Sequence, residues 1–320
     1  MTKILVTGSL GQIGSELVPA LRARYGVEKV VATDIRPPEE VTIDGPYAVL
    51  NVTEANDWEE VLAKDQFDTI IHLAAILSAR GEMKPLQTWD INMTGTMHAL
   101  EAARAYGMKI FAPSSIAVFG MGTPKTMTPS YTVMRPQTMY GVTKVAMELL
   151  FDYYYHKFGV DTRSLRFPGI ISYRTPPGGG TTDYAVEMIR EAVKRGHYTS
   201  FVGPETQLDF MYMPDAISAM IALIEAESDR LKHRNAYNVT AMRFTPEMLG
   251  REIKRHLPDF TWDYAVDPLR QRIADSWPDA VDPADAVAEW GFKTSYDLSR
   301  MVEDMIRALK TSQEHAPAHM

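Results

Sequence analysis

Tyr140 and Lys144 stand four residues apart in YGVTK, a spacing that puts a phenol and an ammonium on one face of a helix. A free tyrosine has a pKa of about 10 and is rarely ionised at neutral pH. A fixed cation beside it favours the phenolate and makes it a general base for a hydroxyl proton. Twenty-five residues upstream, the apolar run KIFAP ends in Ser114-Ser115. A serine at the C-terminal end of a parallel strand lies on the ligand-binding edge of a sheet. A Tyr-x-x-x-Lys pair is common on helix surfaces. It points to chemistry here because the serine precedes it and a phosphate-binding loop opens the chain.

That loop is Gly8-Ser9-Leu10-Gly11-Gln12-Ile13-Gly14, placed between the apolar run ILVT and a helical pattern. Gly8 permits a tight turn, Gly11 lets the backbone approach a pyrophosphate, and Gly14 allows helix and strand to pack closely. The helix N-terminus favours the phosphate charge. Twenty residues beyond Gly14, the second strand ends at Asp34. A carboxylate there accepts hydrogen bonds from adenosine ribose hydroxyls and repels a 2′-phosphate, which favours NAD over NADP. Arg36 works against that preference, since a guanidinium accepts a phosphate. The positive charge of oxidised nicotinamide would add to that of Lys144 in favouring the Tyr140 phenolate.

Six short runs supply the strands that must hold these groups: Ile4–Thr7 and residues 29–33, 47–50, 69–73, 109–113 and 161–167. ILVT, TIIHL and KIFAP do not alternate, as expected of strands buried on both faces. Between them, Ile13, Leu17 and Leu21, and then Leu86, Trp89, Met93, Met97 and Leu100, recur at helical spacing. The expectation is an α/β, Rossmann-like doubly wound parallel sheet over residues 1–168. After about Gly169 come a Pro/Gly-rich loop and shorter mixed elements, with helices over residues 214–227, Pro246–His256 and 297–309. Residues 169–310 are read mainly as a smaller C-terminal α/β substrate lobe, with the chain free to cross back to the first domain. Residues 311–320 are read as a frayed tail.

Composition narrows the function. The 320 residues carry 33 basic and 41 acidic side chains, a formal net charge of -8, and no cysteine. That balance argues against a nucleic-acid partner. Without cysteine there is no disulfide, thiolate zinc site or cysteine nucleophile. No pair of the eight histidines has metal-binding spacing, so no metal is expected, and His72 inside TIIHL reads as a satisfied core side chain. No signal-peptide core opens the chain and no window approaches the ~20 apolar residues of a membrane span. A cytoplasmic protein is expected, without a membrane partner.

The motifs TGSLGQIG, HLAA, Asn92-x-x-Gly95-Thr96, SSIAVFG and YGVTK together resemble the extended short-chain dehydrogenase/reductases, which include sugar-nucleotide epimerases and dehydratases. In the second half, RFPGIIS at 166–172, PGGGTTDYAVEM at 177–188, YNVTAMRFTPEML at 237–249 and DPLRQRIADSWP at 267–278 are similar to the short-chain type of L-threonine 3-dehydrogenase. The resemblance covers roughly residues 3–309. It implies that Gly8, Gly11, Gln12, Ile13 and Gly14 hold the pyrophosphate of NAD and that Asp34, Ile35 and Arg36 line the adenosine ribose. Asn51, where the family often has Asp, and Val52 would contact adenine. Leu73, Ala74 and Ala75 would run alongside the cofactor, with Asn92 buried near it. Pro168 to Ile170 would abut the nicotinamide, which Tyr140 and Lys144 also face.

On the substrate side the resemblance points to Ser78, Ser115, Tyr140, Gly180, Thr181, Thr182 and Asp183. A carboxylate suits the ammonium of an amino acid, and hydroxyls suit its carboxylate. Asp183 is the candidate ammonium partner, or else an N-cap for a helix starting at Tyr184. Gly178 to Gly180 are hinges of a closing loop or a plain flexible turn. Trp277 covers the site or belongs to the core of the smaller lobe, with the core preferred. Tyr153, Tyr154 and Tyr155 cannot all face one core. With Trp89 and Met97 they imply a homodimer, since the family pairs these two helices across a dimer axis; a larger core is the alternative. The activity implied is oxidation of the C3 hydroxyl of L-threonine to 2-amino-3-oxobutanoate, with Tyr140 as base, Ser115 positioning the hydroxyl and Lys144 tuning the tyrosine. Two readings compete. A sugar-nucleotide epimerase or dehydratase would return the hydride, and a dehydratase also wants an acid beside Ser115, where Ile116 and Ala117 follow. A regulatory NAD-binding protein has no need of Ser115, Tyr140 and Lys144 together.

Overall fold

The computed structural model of the chain describes residues 3–175, 178 and 180–314. It opens with β1 (Ile4–Thr7), α1 (Gly14–Tyr25), β2 (Val30–Asp34), β3 (Tyr47–Val49), α2 (Ala55–Leu62) and β4 (Thr69–His72). Then come α3 (Ser78–Met83), α4 (Pro85–Trp89), a π-helical turn (Asp90–Thr94) and α5 (Gly95–Tyr106). After β5 (Lys109–Phe111) and β6 (Ser114–Ser115), α6 (Met139–Phe158) leads to β7 (Thr162–Arg163). Strands β3-β2-β1-β4-β5-β7 form one sheet in that order, and every pairing is parallel. The order reverses between β1 and β4, the switch point where ligands of such sheets bind. The expected doubly wound Rossmann-like α/β class is the one observed.

Two apolar layers sandwich this sheet. On one face Leu5, Ile70 and Ile110 meet Trp58 and Val61 of α2, Leu100 and Ala103 of α5, and Met147 and Phe151 of α6. On the other, Ile4, Val6 and Ile71 meet Leu17, Val18 and Leu21 of α1. That second layer also takes side chains from far along the chain: Ala216, Met220 and Leu223 of α8 (Met213–Glu225), and Trp290 and Phe292 near the end of α11 (Ala284–Trp290). Residues beyond 169 thus serve both the sheet and the smaller lobe.

The segment 161–167, expected as one strand, is two. Arg163 in β7 continues the large sheet, while β8 (Leu165–Phe167) pairs with β6 and with β12 (Tyr237–Asn238). The change of partner falls at buried Ser164, whose carbonyl receives the Tyr237 amide. Arg163 is 1% exposed and donates to the Leu223, Ile224 and Ala226 carbonyls at the end of α8, with Asp161 against its other edge. A cation at a helix C-terminus meets the negative end of the dipole and satisfies carbonyls that have no intrahelical partner.

The smaller lobe contains β9 (Gly169–Ile171), α7 (Tyr184–Arg195), β10 (His197–Ser200), β11 (Leu208–Tyr212) and β13 (Met242–Phe244). It also holds α9 (Pro246–His256), β14 (Thr261–Tyr264), α10 (Pro268–Ser276) and α12 (Leu298–Glu314). Strand β11 pairs with β9 in parallel and β13 antiparallel, and β10 pairs with β14. Its core gathers Tyr184, Ile189, Phe210, Phe244, Phe260 and Met305. Helix α12 continues through residues 311–314, read from sequence as frayed; the rest of that tail lies outside the described residues. No helix among the described residues is long and apolar enough to cross a membrane.

Candidate active site

The turn after β1 is built by glycines with separate duties. Gly8 has φ +64, and a Cβ on it would lie 2.6 Å from the Ala74 backbone nitrogen. A Cβ on Gly14 would lie 2.5 Å from the Ser9 carbonyl oxygen. Both positions are closed to a side chain by the protein itself. Gly11 is different: a Cβ there comes no closer than 3.3 Å to the chain, at Gly8. Its bareness leaves backbone open to a close-approaching ligand. No side chain caps the N-terminus of α1; the Ser15, Glu16 and Leu17 amides bond the Gly11 and Ile13 carbonyls, and the positive end of the helix dipole still favours an anion there. Gln12 and Ile13 reach the cleft beside it. These features fit a dinucleotide pyrophosphate.

Asp34 closes this end. Its carboxylate accepts from the Leu10 amide (3.2 Å) and the Ile35 amide (3.0 Å), keeping the glycine turn against the tip of β2. Arg36 pairs with Asp34 at 3.7 Å and donates to the Leu10 carbonyl at 3.1 Å. The guanidinium that competed with Asp34 in the sequence reading is bound to Asp34 instead. Asn51 accepts from the Thr53 amide and hydroxyl, forming a local turn. Val52 is buried; its carbonyl accepts from Trp58 and faces a His98 ring nitrogen. Leu73 and Ala75 line the cleft, with Ala74 between them against Gly8. Asn92 is buried in the π-helical turn, accepting from the Ile76 amide and donating to the Ile76 carbonyl and the Thr143 hydroxyl. It anchors the segment after β4 to α6.

Ser115, Tyr140 and Lys144 meet on the wall of the same cleft, whose cavity is about 150 Å³. Thr138 starts α6 by accepting from the Gly141 amide, which fixes Tyr140 in the first turn. Gly141 lets that turn sit close, since a Cβ on it would lie 2.3 Å from the Ala117 carbonyl oxygen. Enclosure of the Tyr140 hydroxyl pushes its pKa up to about 12, opposed by a hydrogen bond with Ser115. Burial pushes Lys144 down to about 8, opposed by the charge of Glu148. The expected depression of the tyrosine by the lysine is absent in the protein alone, because the ammonium donates to the Pro113 carbonyl (2.6 Å) and lies 5.6 Å from the centre of the Tyr140 ring. His72 lies behind this wall. Burial, reinforced by the Lys144 charge, lowers its pKa to about 3. Its Nδ1 shares a hydrogen bond with Thr7, while its Nε2 has no partner among the described residues, so the side chain is only half satisfied.

The lining is completed by Pro168, Gly169 and Ile170, which follow the strand paired with Ser115, and by a turn at Gly180, Thr181, Thr182 and Asp183. Asp183 does not cap α7. Its carboxylate reaches back to the Gly180 amide (2.6 Å) and secures the turn while lining the cleft. The Thr181 hydroxyl is buried without a partner among the described residues. Ser78 is also buried at the rim. Trp277 belongs both to the small-lobe core and to the cleft wall. Gly179 lies outside the described residues, so the proposed hinge of three glycines has no complete structural counterpart.

Sequence reasoning passed over several groups. Glu148, Ser114 and Arg166 form a buried cluster behind Tyr140 and Lys144. The one signal available was that Glu148 follows Lys144 by one helical turn. Glu16 of α1 takes the Ser172 hydroxyl and pairs with Arg174, and Ser15 shares a hydrogen bond with Thr175, fastening the glycine helix to the far wall. Away from the cleft, His233, Asp285 and Glu289 place three potential ligand atoms within 4.8 Å of one another. Glu289 there already accepts from the Lys232 and His233 amides and the Tyr237 hydroxyl. This is a clasp between chain segments too distant for a spacing pattern.

Residues 4–240 match the NAD dependent epimerase/dehydratase family. An uncharacterized epimerase/dehydratase of Staphylococcus haemolyticus is 53% identical over 98% of this chain and 100% of its own. Among solved structures, L-threonine dehydrogenase from Clostridium difficile is 54% identical with a TM-score of 0.95, over 98% of each chain. A monomeric L-threonine 3-dehydrogenase from a metagenome is 44% identical with a TM-score of 0.93, over 97% of this chain and 99% of that one. With its glycine turn, its strand order and its serine, tyrosine and lysine on one cleft, the chain belongs to the NAD dependent epimerase/dehydratase family, the extended branch of the short-chain dehydrogenase/reductases, whose cofactor is NAD.

Proposed function

We propose that the protein oxidises the C3 hydroxyl of L-threonine to a ketone, giving 2-amino-3-oxobutanoate. The observation that carries this reading is the convergence of Ser115, Tyr140 and Lys144 with the Thr181–Asp183 turn on one cleft beside the glycine loop. The 54% identity to an L-threonine dehydrogenase supports the choice of substrate. Gly8, Gly11, Gln12, Ile13 and Gly14 hold the pyrophosphate of NAD, and Asp34 holds the adenosine ribose. Bound in its oxidised form, NAD supplies the hydride acceptor and a positive charge near Tyr140.

Tyr140 takes the proton from the substrate hydroxyl, and Ser115 holds the hydroxyl oxygen in place. Burial raises the pKa of the phenol in the protein alone, and positive charge entering the cleft would lower it again and favour the base. Lys144 fixes the Pro113 carbonyl and turns its remaining protons toward the cofactor ribose. Asp183 carries a negative charge at the far wall for the substrate ammonium, and the unpaired Thr181 hydroxyl and Ser78 face its carboxylate.

The same reading places the protein in the cytoplasm as a homodimer. Leu86, Trp89, Leu149, Tyr153 and Phe158 expose apolar surface on or beside α4 and α6, the helices this family pairs. Light scattering of the purified protein tests the dimer against the monomeric state of the metagenome enzyme.

The function is tested by NADH absorbance with L-threonine and, separately, with UDP-sugars. Steady NADH formation with threonine alone is expected. The name borne by the Staphylococcus relative favours a second reading, a sugar-nucleotide epimerase or dehydratase. Conversion of a UDP-sugar without net NADH would establish that reading instead.

A further inference from the structure

Behind the cleft, three site-bearing elements converge on one carboxylate. Glu148 lies on α6, one helical turn beyond Lys144 and two beyond Tyr140, and is 2% exposed. It accepts from Ser114 at 2.5 Å, and Ser114 immediately precedes Ser115 in β6. Its two oxygens also accept from Arg166 at 2.9 and 2.8 Å, and Arg166 is one residue before Phe167 at the cleft wall. Arg166 is held in turn by the Ser130 carbonyl (2.7 Å) and Asn238 (3.4 Å), with Phe119 under its guanidinium. A buried ion pair with its remaining hydrogen bonds satisfied keeps its geometry. Any shift of Glu148 therefore moves β6, β8 and the Lys144 turn together.

We infer that Glu148 is a positioning residue for the reaction, clasping the strands that carry Ser115 and the cleft wall while supplying the fixed negative charge one turn behind the Lys144 ammonium. This rests on the role given to Lys144 above. The other groups around the ammonium do not replace that charge. The Pro113 carbonyl is a neutral acceptor, Tyr140 is a phenol, and His72 on β4 is held neutral by burial. Beyond Glu148 on α6, Asp152 accepts from Asn235, whose amide also donates to the Glu148 carbonyl. Arg166 faces Glu148 from the strand side, and on the helix side it is the Glu148 charge that opposes the burial of Lys144. Burial already draws Lys144 toward the neutral amine. Without the carboxylate, the ammonium would be lost nearer to neutral pH.

The test is Glu148→Gln in the full chain, read in two ways. Carbon-13 NMR of labelled lysine, with the Lys144 signal assigned by Lys144→Met, gives the lysine midpoint without cofactor or substrate. It should fall by about one pH unit. Threonine oxidation should lose about tenfold in kcat, its alkaline limb moving down with the lysine midpoint while KM for NAD stays within about threefold. A folded variant with an unmoved lysine midpoint overturns the inference, because a merely structural clasp lowers stability and turnover without touching that value. If Glu148→Gln does not fold, Glu148→Gln/Arg166→Gln removes both charges and should show a smaller fall in the same direction, since Glu148 is the nearer charge; an unmoved midpoint there overturns the inference too. An unmodified protein that forms no NADH from threonine defeats the proposed function alone, and the NMR midpoint still decides the role of Glu148.

Discussion

The two walls of the cleft are made in opposite ways. On the cofactor side the determinants are backbone and paired side chains: Gly8 and Gly14 are tight against the chain, Asp34 holds the Leu10 amide, and Arg36 is tied to Asp34. On the side proposed for the substrate, the Thr181 hydroxyl is buried without a partner among the described residues, and the Tyr140 phenol bonds only its neighbour Ser115. On the cofactor side backbone and paired side chains set the shape, with the Ser9 hydroxyl the exception, buried without a partner among the described residues. A particular substrate must bring the missing hydrogen bonds, and its absence from the bonding pattern is the mark of specificity.

The largest effect that would break this contrast is at the phenol. Tyr140→Phe keeps ring volume and removes the base, so turnover with threonine should fall ~10²–10⁴-fold, with NAD affinity largely kept in a fluorescence titration. Activity within a few-fold of the unmodified enzyme would mean that another residue takes the proton. Next is Asp183. Replacement by Ala should cost on the order of 10² in kcat/KM for threonine and narrow the gap to 3-hydroxybutyrate, which lacks the amine. Asn can still accept from the Gly180 amide. If Asp183→Asn restores full threonine activity, the carboxylate only secures its turn.

On the cofactor side, Gly14→Ala forces a methyl into the Ser9 carbonyl. The strain should cost about 1–3 kcal/mol, seen as a lower urea midpoint together with weaker NAD binding. Asp34→Ala should cut the preference for NAD over NADP by about tenfold, ~1.4 kcal/mol, measured as the ratio of kcat/KM values. Equal use of both cofactors by the unmodified enzyme would show that Arg36, despite its tie to Asp34, sets the choice. The smallest effect concerns acid. His72 has a pKa of about 3 when folded against about 6.5 when free. Between those values the unfolded chain binds more protons, so stability falls as pH drops through that window. The loss in urea midpoint from pH 7 to pH 5 should be smaller in His72→Gln.

How far the molecule was legible follows the same division. Strands β1, β2, β4 and β5 lie where non-alternating apolar runs lie, because burial on both faces leaves a local signature. Gly8, Asp34, Ser115, Tyr140 and Lys144 were legible because residue type and spacing carry their chemistry. The split within 161–167 was not, since the choice of a new partner at Ser164 depends on β12, more than seventy residues later. Glu148 was hidden for a similar reason: its partners are 34 residues before it and 18 after it. Of the two local readings of Asp183, the α7 cap is not the one observed, because the side chain folds back on the Gly180 amide of its own turn while still lining the cleft.

Arg163 has a consequence for how the chain is made. Its guanidinium, fully enclosed, is completed by carbonyls of residues 223, 224 and 226, and the layer over α1 needs residues as late as Phe292. During synthesis the first 168 residues therefore emerge with a buried-charge site open and one face of the sheet bare. That face is completed only when residues around Phe292 leave the ribosome, because contacts of such long sequence separation form late. The layer that supports the glycine helix is thus closed by residues more than 260 positions beyond it.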